Sequence, residues 1–191
     1  MRAIALLLVL TFSLGGCVGA PRTYGETVRS PYSPTEFGFG AGRRDLWTQF
    51  RGDPFDLGDE VFQARMIEIL AQHPPKPQPT NFTTSPGDSA DTDYRVVFLF
   101  DPPRSFLNGD LCRLPLRLPK GEGATKPLNA AAAFCRNQGV LTAVRGSLDL
   151  AAGTDDPAFN ALIGQMVDDL FPNFNPNQDN DDGCLIPTRC R

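Results

Sequence analysis

The sequence predicts an α+β domain in which a small sheet of three to five strands is covered on one face by two amphipathic helices. Three observations point there. Tyr94–Phe100, YRVVFLF, is apolar on both faces of an extended chain, as a central strand must be. Residues 157–171 place Phe159, Leu162, Ile163, Met166, Val167, Leu170 and Phe171 on one helical stripe. A strand–helix–strand order through residues 94–148 mixes the two classes within one core.

Composition bounds the rest. The 191 residues suit one domain, and a hydrophobic fraction of 41% allows a core of moderate size. The net charge is −4 and no basic block is present, which argues against a nucleic-acid partner and against capture by anionic lipid.

Along the chain, residues 17–44 are rich in Gly, Pro, Ser, Thr and Arg and read as a flexible tether. Some of its aromatics (Tyr24, Tyr32, Phe37, Phe39) are expected to dock on the domain, which is expected to span 45–172. Asp56 or Asp59 caps a helix running to Gln72, with Phe62, Met66, Ile69 and Leu70 on one stripe and Val61 beside them. The prolines of residues 73–79, HPPKPQP, stop that helix and impose an extended surface connector.

In the next strand, Tyr94, Val96, Phe98 and Phe100 share one face and Val97 and Leu99 the other. Asn108-Gly109 fits a tight hairpin between Phe106-Leu107 and Leu111-Cys112. Prolines in 112–119, CRLPLRLP, place that segment at a sheet edge. Residues 127–137, PLNAAAAFCRN, read as a short alanine-rich helix ending before Gly139. Residues 140–148 read as a strand with Val140, Thr142 and Val144 on one face. Asp155-Asp156 then caps the helix over 157–171, and the remainder, 173–191, is a polar irregular tail.

The N-terminus has the layout of a secretory signal: Met1-Arg2, an apolar run over 3–12, then small residues. The run is too short for a membrane span, which needs about 20 apolar residues. Its end, Leu14-Gly15-Gly16-Cys17, resembles the lipobox of bacterial lipoproteins. The resemblance covers the first 17 residues. It implies that residues 1–16 are removed, that the Cys17 thiol is diacylated and that the new N-terminus is acylated. Two or more acyl chains anchor firmly where one does not. Val18 stands where an Asp favours inner-membrane retention in well-studied Gram-negative members. The resemblance therefore implies an envelope location facing the periplasm, the outer membrane ahead of the inner.

Export puts the other four cysteines in an oxidising setting, and an even count there suggests two disulfides with three possible connectivities. The expected pairs are Cys112–Cys135 and Cys184–Cys190, the second closing a small loop in the tail. No CxxC spacing occurs and His73 is the lone histidine, so no metal site and no cofactor are expected. Asn177, Asp179 and Asp181 start like a calcium loop, but Asp182 replaces the required glycine and Thr188 the final glutamate. GxSxG, HExxH and P-loop patterns are absent, and a nucleophile–His–acid site would have to use His73 at a helix end. The expected function is a lipid-anchored, non-catalytic binding or assembly module with a protein partner in the envelope. The alternative is an envelope hydrolase built on carboxylates distant in sequence.

Overall fold

A computed structural model of the chain describes residues 20–103, 106–113 and 127–177. The domain is α+β, with one mixed sheet and three helices. The strands are β1 (Arg22–Val28), β2 (Asp45–Arg51), β3 (Asn81–Thr83), β4 (Tyr94–Phe100), β5 (Leu128–Arg136) and β6 (Gly139–Leu148). Their spatial order is β1-β6-β5-β4-β2-β3, so the sheet has six strands, more than the three to five the sequence predicts. Helices α1 (Pro34–Gly40), α2 (Asp59–Gln72) and α3 (Pro157–Leu170) all pack on one face.

The central strand is as read. β4 pairs with β2 in parallel and with β5 antiparallel. Val96, Phe98 and Phe100 join the main core under the helices, and Val97 and Leu99 join a second cluster on the opposite face. That second cluster is closed by Phe106, Leu111 and Cys112 from the segment after β4.

Residues 127–137 are not a helix. They form β5, flanked on both sides by strands, with Ala130, Ala131, Ala132 and Ala133 at most 1% exposed. Alanine is the best helix former, but the preference is below about 1 kcal/mol per residue, and tertiary packing overrides it here. The small side chains make room. Ala132 lies between Phe98 and Val144, and Ala130 between Phe100 and Gly146. Gly146 serves the same end, because a Cβ there would come within 2.8 Å of both Leu162 and Met166 of α3. Asn137, with φ 54°, begins the tight turn from β5 to β6 instead of ending a helix. Asparagine tolerates this left-handed conformation.

A register shift near Cys135 puts Val140 against Cys135, on the face opposite Thr142 and Val144. The expected shared face of Val140 therefore breaks at this irregularity.

The stretch 17–44 is also corrected. From Arg22 onward it carries β1 and α1, so the fold begins well before residue 45. Tyr32 and Phe37 are wholly buried, whereas Tyr24 and Phe39 are exposed. Ser33 caps α1 by accepting from the Glu36 N–H at 2.9 Å, with Pro34 at the first helical position. The Tyr32 hydroxyl donates to the Pro172 carbonyl at 2.8 Å, tying this region to the end of α3.

Helix α2 starts at Asp59, but its cap position is Gly58, which offers no side-chain bond. Asp53 instead organises the preceding loop, accepting from the Phe55 and Gly58 N–H groups. Val61, expected beside the stripe, is exposed. Helix α3 is capped by Asp156, whose carboxylate accepts from the Ala158 and Ala152 N–H groups. Its apolar stripe is buried throughout. Asp169 lies on the other side, half-buried, and among the described residues its Oδ2 has no hydrogen-bond partner. Asp169→Ala is therefore expected to change unfolding free energy by no more than about 0.5 kcal/mol, read from urea melts.

The expected hairpin at Asn108-Gly109 is a single 3-10 turn, Asn108–Asp110. Its amides bond locally, Asp110 to Leu107 and Leu111 to Asn108, so the flanks do not pair as strands. The proline-rich connector packs on α1: the Arg43 N–H donates to Pro79 at 2.7 Å, and the Gln78 amide fills the space beside Gly38 and Gly42.

Candidate functional site

A concavity lies between α2 and the turn leading into α3. It is a groove of about 440 Å³. Its α2 wall carries Arg65, Glu68 and Gln72 at helical spacings of three and four, so all three project to one side. The opposite wall carries Asp155 and Asn160, and buried Ile69 and Thr154 form the floor.

The polar groups there are already engaged with one another. Arg65 Nη1 reaches Glu68 Oε2 at 2.8 Å, and Glu68 with Asp155 favours its charged form. The Asn160 amide donates to Gln72 Oε1 at 3.3 Å, and its carbonyl meets His73 Nε2 at 2.7 Å. The groove can offer guanidinium and amide donors, and carboxylate acceptors, to a polar ligand. A second hollow, about 400 Å³, is lined by Glu60, Gln63, Ala64, Ile67, Thr83 and Thr84.

His73 has a packing role. It ends α2, and its ring lies so close to α3 that a Cβ on Gly164 would come within 2.6 Å of it. Its polar partner is a neutral amide, not a carboxylate. Lys76, in the following connector, pairs with Asp168 at 3.0 Å and adds a second tie between these segments.

At the far end of the sheet, Glu36 Oε1 accepts from the Tyr94 hydroxyl and from Arg136 Nη1, both at 2.6 Å. Burial, then the bond to Glu36, raises the Tyr94 hydroxyl, which keeps it a donor. Asp45 accepts from Asn81 Nδ2 at 2.7 Å and from the Gly87 N–H at 2.9 Å, and these bonds lower its pKa. The Ala152 and Ala158 N–H groups do the same for Asp156. A carboxylate held ionised in this way is a poor proton donor near neutral pH. Both are structural clasps.

Of the predicted site residues, the structure brings one pair together. Cys112 and Cys135 form a disulfide, with Cα atoms 5.6 Å apart. Around it, Arg95 donates to the Cys112 carbonyl at 2.6 Å, Arg145 donates to Asn108 Oδ1 at 2.8 Å, and Arg145 also holds the Phe106 carbonyl. Cys17, Cys184 and Cys190 lie outside the described residues, as do Asp179 and Asp181. Asn177 spends its side-chain amide as a donor to the Val28 carbonyl. Asn175, 3% exposed, donates to the carbonyls of Arg29 and Tyr32. The start of the tail thus belongs to the fold. Among the described residues no group of three metal-ligating side chains converges, and no helix is long and apolar enough to cross a membrane. The groove residues Arg65, Glu68 and Asn160 were not singled out from sequence. For Arg65 and Glu68 the only signal there was helical spacing on α2, which any solvated helix face shares, and Asn160 on α3 carried none.

Fold and groove together define a disulfide-stapled α+β domain with a six-stranded mixed sheet and a polar cleft between two helices. No family model and no curated protein matches the chain. Among solved structures it is similar to a variant PelC dodecamer from Paraburkholderia phytofirmans. The identity is 8% and the TM-score 0.39, over 81% of this chain and 98% of that one. A likeness at that TM-score carries no argument about function.

Proposed function

We propose that the protein is a lipid-anchored, non-catalytic binding or assembly module of the bacterial cell envelope. The observation that carries the reading is the run Leu14-Gly15-Gly16-Cys17 at the exit of the apolar segment 3–12. The domain faces the periplasm, on the outer membrane ahead of the inner, with an envelope protein as its partner. The non-catalytic half is supported by the use of the carboxylates. Asp45, Asp53 and Asp156 are engaged by backbone amides, and Glu36 by Tyr94 and Arg136. The hydrolase alternative is favoured by one observation, the presence of Glu68 and Asp155 on facing walls of the α2–α3 groove.

Cys17→Ser tests the anchor. It is expected to abolish acylation and leave an uncleaved or soluble product, read by mass spectrometry of the membrane and soluble fractions. Normal cleavage and unchanged membrane retention in that variant would show the lipobox reading to be wrong.

A further inference from the structure

We infer that the end of the sheet where β1 begins is held against the bilayer carrying the Cys17 lipid, and that the opposite end faces away from it. The inference rests on the anchor reading above and deepens it. The sequence alone placed a long flexible tether between Cys17 and the domain, which would have left the domain free to tumble. The structure removes that tether, because residue 22 is already in the sheet.

The geometry follows from chain length. Arg22 is five residues beyond Cys17. Five fully extended steps span at most about 18 Å. The ladder then shows what lies beside Arg22. It pairs with Ser147 near the end of β6, and Leu148 pairs with Leu128 at the start of β5. Ala130 pairs with Phe100 at the end of β4, and Leu99 with Arg51 at the end of β2. One end of the molecule therefore gathers the start of β1, the loop after β2 and the loop from β6 into α3. At about 3.3 Å per residue, the ten residues of β6 put the other end some 30 Å further away. That distance exceeds the reach of the leash.

The near end suits contact with a bilayer surface through apolar side chains. Leu150 is 65% exposed and follows Asp149, which pairs with Arg22 at 3.8 Å. Leu57 and Val61, at the start of α2, are also exposed there. Charge does not drive the contact. Among the described residues, Asp53, Asp56, Asp59, Glu60 and Asp155 outnumber the basic Arg22 and Arg51 on this end. The short leash sets the orientation, and the far end, with Phe39, Phe174 and the Glu36–Tyr94–Arg136 cluster, is left for a partner.

The test uses the full, membrane-purified chain in phosphatidylcholine vesicles that contain a nitroxide-headgroup lipid. Leu150→Cys and Phe174→Cys are labelled separately with one fluorophore, and the parent chain corrects for any background labelling. The Leu150→Cys label is expected to be quenched several-fold more than the Phe174→Cys label. A flexible linker of about 12 Gly and Ser residues, inserted between Gly19 and Ala20, adds a root-mean-square span of about 19 Å and should erase the difference. Equal quenching at the two sites in the unextended, acylated chain overturns the orientation while leaving the anchor intact. A mass spectrum without acyl groups on Cys17 overturns the anchor and the orientation with it.

Discussion

Phe134→Ala is expected to lower the unfolding free energy by about 3–5 kcal/mol, the cost of emptying a packed aromatic site. Phe134 lies in β5 and is wholly buried. Its ring meets Phe37 of α1 at 5.7 Å, Phe171 at the end of α3 at 5.4 Å and Tyr94 of β4 at 5.8 Å. Three separate pieces of chain thus lean on one side chain, and none can collapse into the gap without moving its own element. For a chain of this size the melting temperature should fall by roughly 6–20 °C. Phe39→Ala, at a residue 68% exposed, serves as the contrast and should leave the melt nearly unchanged. A loss below about 1 kcal/mol for Phe134→Ala would mean that α1 and α3 do not share this core.

Removing the bridge through the double substitution Cys112→Ala and Cys135→Ala is expected to cost about 3 kcal/mol. The two positions are 23 residues apart, and opening a loop of that length returns conformational freedom to the unfolded chain. The effect should also be local. The bridge pins residues 106–113 on the second face of the sheet, where Phe106 and Leu111 cover Val97, Leu99, Ala131 and Ala133. Hydrogen exchange at Asp110, Leu111 and Arg113 should therefore accelerate, while the ladder joining β4, β5 and β6 stays protected. The reduced parent should behave like the double variant. If reduction leaves both the melt and the exchange pattern untouched, the bridge contributes nothing to the fold.

Local pattern was a good guide wherever one side-chain period had one explanation. The stripe of α3 repeats over its whole length and starts at Asp156-Pro157, so both face and boundary were legible. β4 is apolar on both faces, which only a strand buried on both sides explains. The cysteine count left three connectivities open, and the expected Cys112–Cys135 pair is the one the structure forms. The start of α1 was missed, although Ser33 at the cap and Pro34 at the first helical position form a known signal. The Gly- and Pro-rich surroundings masked it. β2 and β3 were missed for a different reason. β2 alternates buried and half-buried residues over only seven positions, and β3 is three residues long.

The candidate groove was not legible at all. Arg65 and Glu68 are ordinary exposed residues of α2, and they face Asp155 and Asn160 only because α2 crosses the start of α3. The hairpin expected at Asn108 failed likewise. Asn-Gly permits a hairpin, but Arg95 and Arg145 hold the carbonyls of this segment from strands β4 and β6.

The sequence by itself determined the α+β class, the α2 and α3 helices and the central strand, and it narrowed the four remaining cysteines to three connectivities. Each depends on side-chain period or on pairing chemistry within reach of local reasoning. Only the tertiary structure decided that Ala130 to Ala133 form a strand and that the stretch after Arg22 is sheet. The reason is the same in both cases. An alanine run has too little intrinsic preference to resist its neighbours, and a polar edge strand such as β1 has no apolar face of its own. Their conformation is set by the ladder hydrogen bonds and the volumes left by Phe98, Phe100 and α3, which come from residues distant in sequence.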